Sequence, residues 1–266
     1  MIYEKIKLPH GGMLTAYCPD NLTEIGDTRS WPAVLICPGG AYEFCSPREG
    51  EPIALEFLHQ GYHAAVMEYS TAPSRFPTAL TEVALLVKTL REKAGEWLID
   101  PDHIFVCGFS AGGHLAASYG TLWHEEWLAD SLNCTPEALQ PQGMILCYPV
   151  ITGGEGSHEG SFHNLLGERY EEMRGQLSLE TRVTKYTAPA FIWHTQEDET
   201  VPVVNALKMV SALTKANVPV EFHLFPKGPH GMSLCDGRTL RSDGRGNEPQ
   251  AAQWMPLCLN WLKTLL

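Results

Sequence analysis

The stretch Gly108-Phe109-Ser110-Ala111-Gly112 constrains this chain more than any other. It follows the apolar run Ile104-Phe105-Val106-Cys107 and leads into a helical pattern, Gly113-His114-Leu115-Ala116-Ala117-Ser118-Tyr119. A strand that turns sharply into a helix through Gly-x-Ser-x-Gly is a nucleophile elbow. Its serine takes a strained backbone conformation, and glycine on both flanks removes the side chains that would collide there. The turn aims the Ser110 hydroxyl away from the sheet. It also sets the Ala111 N–H at a helix N-terminus, ready for an oxyanion. The same five residues also describe an ordinary glycine-rich turn, so the rest of the chain has to supply a base and a group to orient it.

Around the elbow, buried strands alternate with helices. Residues 2–8 and 13–18 alternate about Pro9-His10-Gly11-Gly12, as in an antiparallel hairpin. Apolar runs at 33–37, 64–67, 144–148 and 190–193 read as strands covered on both faces, and 220–225 as a final strand. Helices are expected from Pro52 to Gly61, from Pro77 to about Leu98, and over 204–216. A closing helix gathers Trp254, Leu257, Cys258, Trp261, Leu262 and Leu265 on one face. Asp100-Pro101-Asp102 reads as a turn into the elbow strand. The pattern predicts an α/β fold with a mostly parallel central sheet of about eight strands and helices on both faces. Reacting groups in such sheets collect at the carboxyl ends of the strands.

Two of those ends carry candidates. A serine hydroxyl needs a histidine base, and the histidine needs a carboxylate to fix its tautomer. After Trp193-His194 comes Thr195-Gln196-Glu197-Asp198-Glu199-Thr200-Val201-Pro202. Asp198 is favoured over Glu197 because Asp-x-x-Val-Pro leads from the loop into the next helix; the rival reading is a solvated loop with Asp198 as a helix cap. The last strand runs into Pro226-Lys227-Gly228-Pro229-His230-Gly231, which makes His230 the base, third in the order Ser, Asp, His. His194 is too close to Asp198 for a separate role, and His114 packs beneath the elbow. In Pro38-Gly39-Gly40-Ala41-Tyr42, small residues let a carbonyl approach backbone donors. Gly40 is the best donor, Gly39 or Ala41 the second, with Ala111 across the cleft.

Composition narrows the class. The 266 residues contain no Pro/Ser-rich linker, charge block or repeat, so a single domain over 1–266 is expected, with 151–188 as a cap or insert. A formal charge of −12 argues against nucleic acid and anionic membranes as partners. No stretch approaches the ~20 apolar residues of a membrane span, and the N-terminus has no apolar signal region. The eight cysteines include no C-x-x-C pair and no zinc spacing, so no metal or cofactor is expected. Cys37, Cys107 and Cys147 read as small core hydrophobes, which fits a reducing cytoplasmic setting.

The set Pro-Gly-Gly-Ala-Tyr, Gly-Phe-Ser-Ala-Gly-Gly, Asp-x-x-Val-Pro and Pro-His-Gly resembles the α/β-hydrolase superfamily. It is most similar to small bacterial esterases near the hormone-sensitive-lipase-like and acetyl-xylan-esterase-like enzymes. Tyr69-Ser70-Thr71-Ala72-Pro73 with Phe76-Pro77, and Tyr148-Pro149-Val150 with Asn164-Leu165-Leu166-Gly167, extend the likeness to residues 31–265. One departure is Cys37-Pro38, where lipase-like relatives carry His-Gly; that histidine steadies the oxyanion loop there, so the donor pair here stays open. The resemblance implies hydrolysis of a carboxylic ester through an acyl-serine and leaves the alcohol open; a small-molecule ester is the expected partner, and the polar residues of 151–188 favour an acetylated sugar. A homo-oligomer is left open.

Tyr42, Phe44, Phe76 and Phe109 either wall a short acyl pocket or are plain core. Ser161 and His163, with His158 and Asn164, suit a hydroxylated alcohol. Arg48, Arg238, Arg241 and Arg245 read as surface charge. The rivals are a small acyl-amide hydrolase, a peptidase of the same fold, and a non-catalytic binding protein. The last would typically lack one member of Ser110, Asp198 and His230.

Overall fold

The computed structural model describes residues 1–26 and 28–266, with the backbone alone for Ile25. Among the described residues eight strands form one sheet: β1 (Ile2–Lys7), β2 (Met13–Cys18), β3 (Trp31–Cys37), β4 (His63–Glu68), β5 (Ile99–Phe109), β6 (Gly143–Cys147), β7 (Ala190–Thr195) and β8 (Val220–Phe225). The order is β1-β2-β4-β3-β5-β6-β7-β8. The opening hairpin pairs antiparallel, and β2 lies antiparallel to β4; every other neighbour is parallel. This is the mostly parallel sheet that the alternating pattern predicts.

Side chains on the central strands alternate between two separate cores, as the pleat requires. Leu35 and Cys37 of β3, Val106 of β5 and Leu146 of β6 pack with the helices Thr78–Glu92, Ala111–Leu122 and Val204–Lys215. Val34 and Ile36, Cys107 and Phe109, and Phe191 and Trp193 face the other way, toward Glu51–His59 and Trp254–Leu262. Both faces are therefore covered. Cys37, Cys107 and Cys147 are fully buried within these layers.

One local expectation fails. Residues 100–102 do not form a separate turn but belong to β5, at a register shift against β3 between Trp31 and Ala33. The turn-like chemistry survives inside the strand: Asp100 accepts from the Asp102 amide at 3.0 Å and bonds His103 Nδ1 at 2.8 Å. The helix expected to run from 77 to 98 is also divided, into Thr78–Glu92 and Ala94–Trp97. Between β6 and β7, residues 151–188 carry the short helices Glu159–Leu166 and Tyr170–Met173; Asn164 of the first reaches the loop after β3, while Tyr186 and Ala188 lie at the far end of the helix Ala111–Leu122.

Candidate active site

The elbow between β5 and the helix Ala111–Leu122 places Ser110 at φ 53° and ψ −117°, a conformation costing on the order of 1–3 kcal/mol for a non-glycine residue. The flanking glycines are dictated by contact. A Cβ on Gly108 would sit 2.1 Å from the Gly112 carbonyl oxygen, and one on Gly112 would sit 2.1 Å from that of Cys37. Sequence here fixes backbone, and backbone fixes where the hydroxyl points.

Ser110 Oγ lies 2.7 Å from His230 Nε2, and His230 Nδ1 lies 2.6 Å from Asp198 Oδ2. Asp198 divides its carboxylate: Oδ1 accepts the amides of Thr200 and Val201, while Oδ2 faces His230. The rival reading fails on both counts: the Asp198 side chain is fully buried, and Oδ1 closes the local turn to Val201 and does not cap the helix Val204–Lys215, whose N-cap is Val203. Burial pushes the Asp198 carboxyl up. Hydrogen bonds from His194 and His230, the imidazole charge and the Val201 amide outweigh that and hold it well below the ordinary carboxylate range. Glu197 instead accepts from the Gly228 amide at 3.2 Å, on the loop that carries His230. His194 donates to the Val201 carbonyl and approaches Asp198 Oδ2 at 3.3 Å, a second imidazole on the same carboxylate.

The loop after β3 is shaped by three consecutive left-handed residues, Gly40, Ala41 and Tyr42 at φ 131°, 55° and 57°. The Gly39 amide is already committed, donating to Glu49 Oε2 at 2.8 Å, which removes it from the donor candidates. Among the described residues the amides of Gly40, Ala41 and Ala111 make no such bond. The steadying that lipase-like relatives draw from a histidine comes here from other groups. Tyr69 donates to the Pro38 carbonyl at 2.8 Å, and Asn164 Nδ2 to that of Ala41 at 3.0 Å.

Glu49 is the group that sequence reading missed. In Pro47-Arg48-Glu49-Gly50 it looks like a solvated turn, yet it is 3% exposed and lines the cleft. Its Oε1 accepts from Tyr148 Oη at 2.6 Å, and Tyr148 Oη accepts from the Ser233 amide at 2.9 Å. The Tyr148 ring stands edge-on to His230. Glu49 Oε2 and Ser110 Cβ both lie within 3.0 Å of the place a Gly39 Cβ would occupy. One buried carboxylate thus joins the loop after β3, the end of β6 and the loop bearing His230.

The cleft is a cavity of about 200 Å³ bordered by Gly40, Ala41, Phe44, Ser110, His158 and His230. Ser46, Arg48, Glu49, Thr200, Gly231 and Arg241 complete it. Of the six expected substrate contacts only Phe44 is there. Phe109 is fully buried on the opposite face, against Tyr148 and Trp254, because alternation along β5 turns it away from the cleft. Tyr42 is buried with its hydroxyl on His114 Nδ1 at 2.9 Å. Phe76 meets Trp127, and His163 stacks on Tyr170. Ser161 is buried, hydrogen-bonded to His158 Nδ1. His158 itself reaches the cleft, and burial, helped by the charge of His230, lowers its affinity for a second proton. Among the described residues no group of three or more His, Cys, Asp or Glu side chains is placed to hold a metal ion.

A serine at a strand-to-helix elbow of a mostly parallel sheet, with this polar chain behind it, defines the α/β-hydrolase fold. In class the chain resembles carboxylic ester hydrolases, acetylxylan esterases among them. Residues 20–213 match the BD-FAE family, and the chain belongs to that family. It is 35% identical over 212 residues to endo-1,4-beta-xylanase B of Butyrivibrio fibrisolvens, which covers 76% of this chain and 33% of that protein. It is 32% identical over 209 residues to an acetylxylan esterase of Xylanibacter ruminicola, covering 76% and 41%. The chain therefore spans between a third and about two fifths of the length of these relatives. A crystal structure of a carboxylesterase from Lactobacillus plantarum WCFS1 superposes with a TM-score of 0.88 at 30% identity, over 100% of this chain and 99% of that one.

Proposed function

We propose that the protein hydrolyses short-chain, chiefly acetyl, esters of carbohydrates through an acyl-serine intermediate. The observation that carries the reading is the unbroken chain of short hydrogen bonds from Ser110 through His230 to Asp198. His230 takes the Ser110 proton as the oxygen attacks the ester carbonyl, and Asp198 stabilises the imidazolium. The developing oxyanion is received by the free amides of Gly40 or Ala41 on one side and Ala111 on the other. His230 then gives the proton to the departing alcohol, and water repeats the sequence to release the acid.

A cavity of about 200 Å³ supports a small acyl group, since pockets for larger ligands run to roughly 300–1,000 Å³. The grounds differ from those read in the sequence, because neither Tyr42 nor Phe109 reaches the cleft. The sugar half rests on His158 and Thr200 at the cleft, and on relatives named for xylan and acetylxylan. Residues 1–266 are read as a single domain, with 151–188 as its cap. Eight unpaired cysteines support a reducing, cytoplasmic setting; among the described residues no helix is long and apolar enough to cross a membrane.

The test is a fluorophosphonate adduct mapped to Ser110, with kcat/KM measured for nitrophenyl acetate through decanoate and acetate release from peracetylated xylose. An adduct elsewhere overturns the serine assignment. A maximum at eight carbons or more removes the short-acyl half, and no acetate release removes the sugar half.

A further inference from the structure

We infer that the alcohol half of the substrate carries a carboxylate, which Arg48 receives beside His230. The inference rests on the ester-hydrolysis reading and adds a substrate class to it: acetylated alcohols bearing an acid group, such as a sugar acid.

The chain has 31 acidic against 19 basic residues, so its average surface is anionic, yet two guanidinium groups border the small cleft at Ser110. The carboxylates beside them are already occupied. Glu49 accepts from Gly39 and Tyr148, and Asp198 from His230, Thr200 and Val201. Arg48 is half-buried and is tied down by Nη1 alone, which donates to the Gly231 carbonyl at 3.1 Å and the Thr239 carbonyl at 3.0 Å. Those two bonds fix the plane of the group without neutralising it. Among the described residues its Nε and Nη2 have no partner, and no carboxylate oxygen lies within ion-pair distance of the group. Arg241 is only loosely paired, at 3.4 Å to an Asp243 that lies closer to Arg245 at 2.7 Å.

A pre-oriented guanidinium with two unused donors matches a carboxylate in geometry and charge. Its place selects the half of the ester. His230 hands its proton to the departing alcohol, so a group anchored on Gly231, the next residue, lies on the alcohol side.

The experiment compares 4-acetoxybenzoate with its amide, 4-acetoxybenzamide, each normalised to its rate of alkaline hydrolysis, and with monophenyl succinate, which carries the acid on the acyl side. The wild-type protein should favour 4-acetoxybenzoate over the amide by roughly fivefold or more in kcat/KM, chiefly through KM. That ratio should fall toward one in 0.5 M salt. In Arg48→Gln the ratio should collapse, and in Arg241→Gln it should shrink. If Arg48→Gln does not fold, the salt dependence and Arg241→Gln carry the test. Equal turnover of acid and amide makes Arg48 only a clamp for the His230 loop and overturns the inference while leaving the ester reading intact. A preference for monophenyl succinate overturns the alcohol-side placement. Turnover of none of these esters strikes the ester reading itself.

Discussion

Two imidazoles flank the elbow, and the regions around them are built on opposite principles. His230 sits in a line of ionisable partners, Asp198 on one nitrogen and Ser110 on the other, with its side chain 13% exposed at the cleft. His114, one turn into the helix after Ser110, is fully enclosed, and its partners carry no charge. It accepts from the Tyr42 hydroxyl and donates to the Leu177 carbonyl, between the rings of Tyr42 and Phe162. Burial lowers its pKa to about 4. The contrast teaches that an imidazole becomes a proton carrier through a carboxylate behind it and a cavity before it. The same ring with neutral partners is a strut between the loop after β3 and the segment 151–188.

The largest effect expected from this contrast lies at the serine. Ser110→Ala should lower turnover by on the order of 10⁶ while leaving the fold intact, checked by kcat on nitrophenyl acetate beside a thermal melt. Asp198→Asn should cost roughly 10⁴ through the wrong tautomer of His230. Glu197→Gln and His114→Gln should each stay far milder. A His114→Gln variant as inactive as Asp198→Asn would erase the distinction drawn here. Glu49→Gln should lower kcat by about 10²-fold with little change in KM, because one amide oxygen cannot accept from both Gly39 and Tyr148. Equal losses in kcat and in the affinity for a non-reacting ester analogue would make Glu49 a general support of the cleft instead.

The smallest effect is on stability. His114 binds a proton at about 4 when folded and near ~6.5 when unfolded, so the unfolded chain is protonated first. Stability should therefore fall as pH drops from about 6.5 toward 4, by up to about 3 kcal/mol. Asp198 adds little in that window, since its folded value lies below the ordinary carboxylate value and its contribution is lost from about pH 5 downward, mostly below pH 4. Urea midpoints at pH 7 and 4.5 should differ less in His114→Gln than in the wild type. An unchanged difference would assign the slope to another group.

How much of this could be read from sequence follows from what each residue depends on. Ser110, Asp198 and His230 sit at strand ends in loops whose glycines and prolines fix the backbone, so position alone announces them. The mostly parallel sheet and its two covered faces follow from apolar runs alternating with helical stripes; the order of the strands is seen only in the structure. Phe109 was ambiguous because the motif fixes only the direction of Ser110, although Cys107, two residues earlier on the same face, already marks the side away from the cleft. Tyr42 depended on a left-handed backbone that no composition rule requires. Glu49 was invisible because a charged residue after proline and arginine is ordinarily solvated, and its two partners lie 10 and 99 residues away.

The helix Trp254–Leu262 has a consequence for how the protein acquires its site during synthesis. Trp254 donates to the Ser233 carbonyl at 3.0 Å, stacks on Trp193 and meets Phe109 edge-on. Ser233 in turn donates to the Arg48 carbonyl and caps the Tyr148 hydroxyl through its amide. A nascent chain that has left the ribosome as far as Gly231 therefore already holds Ser110, Asp198 and His230, with Arg48, Glu197 and Tyr148 against the turn bearing the histidine, yet it lacks Ser233 and Trp254, which tie Arg48 and Tyr148 to the layer beneath. The geometry proposed for catalysis is completed by a tryptophan that never touches it, some twenty residues further along.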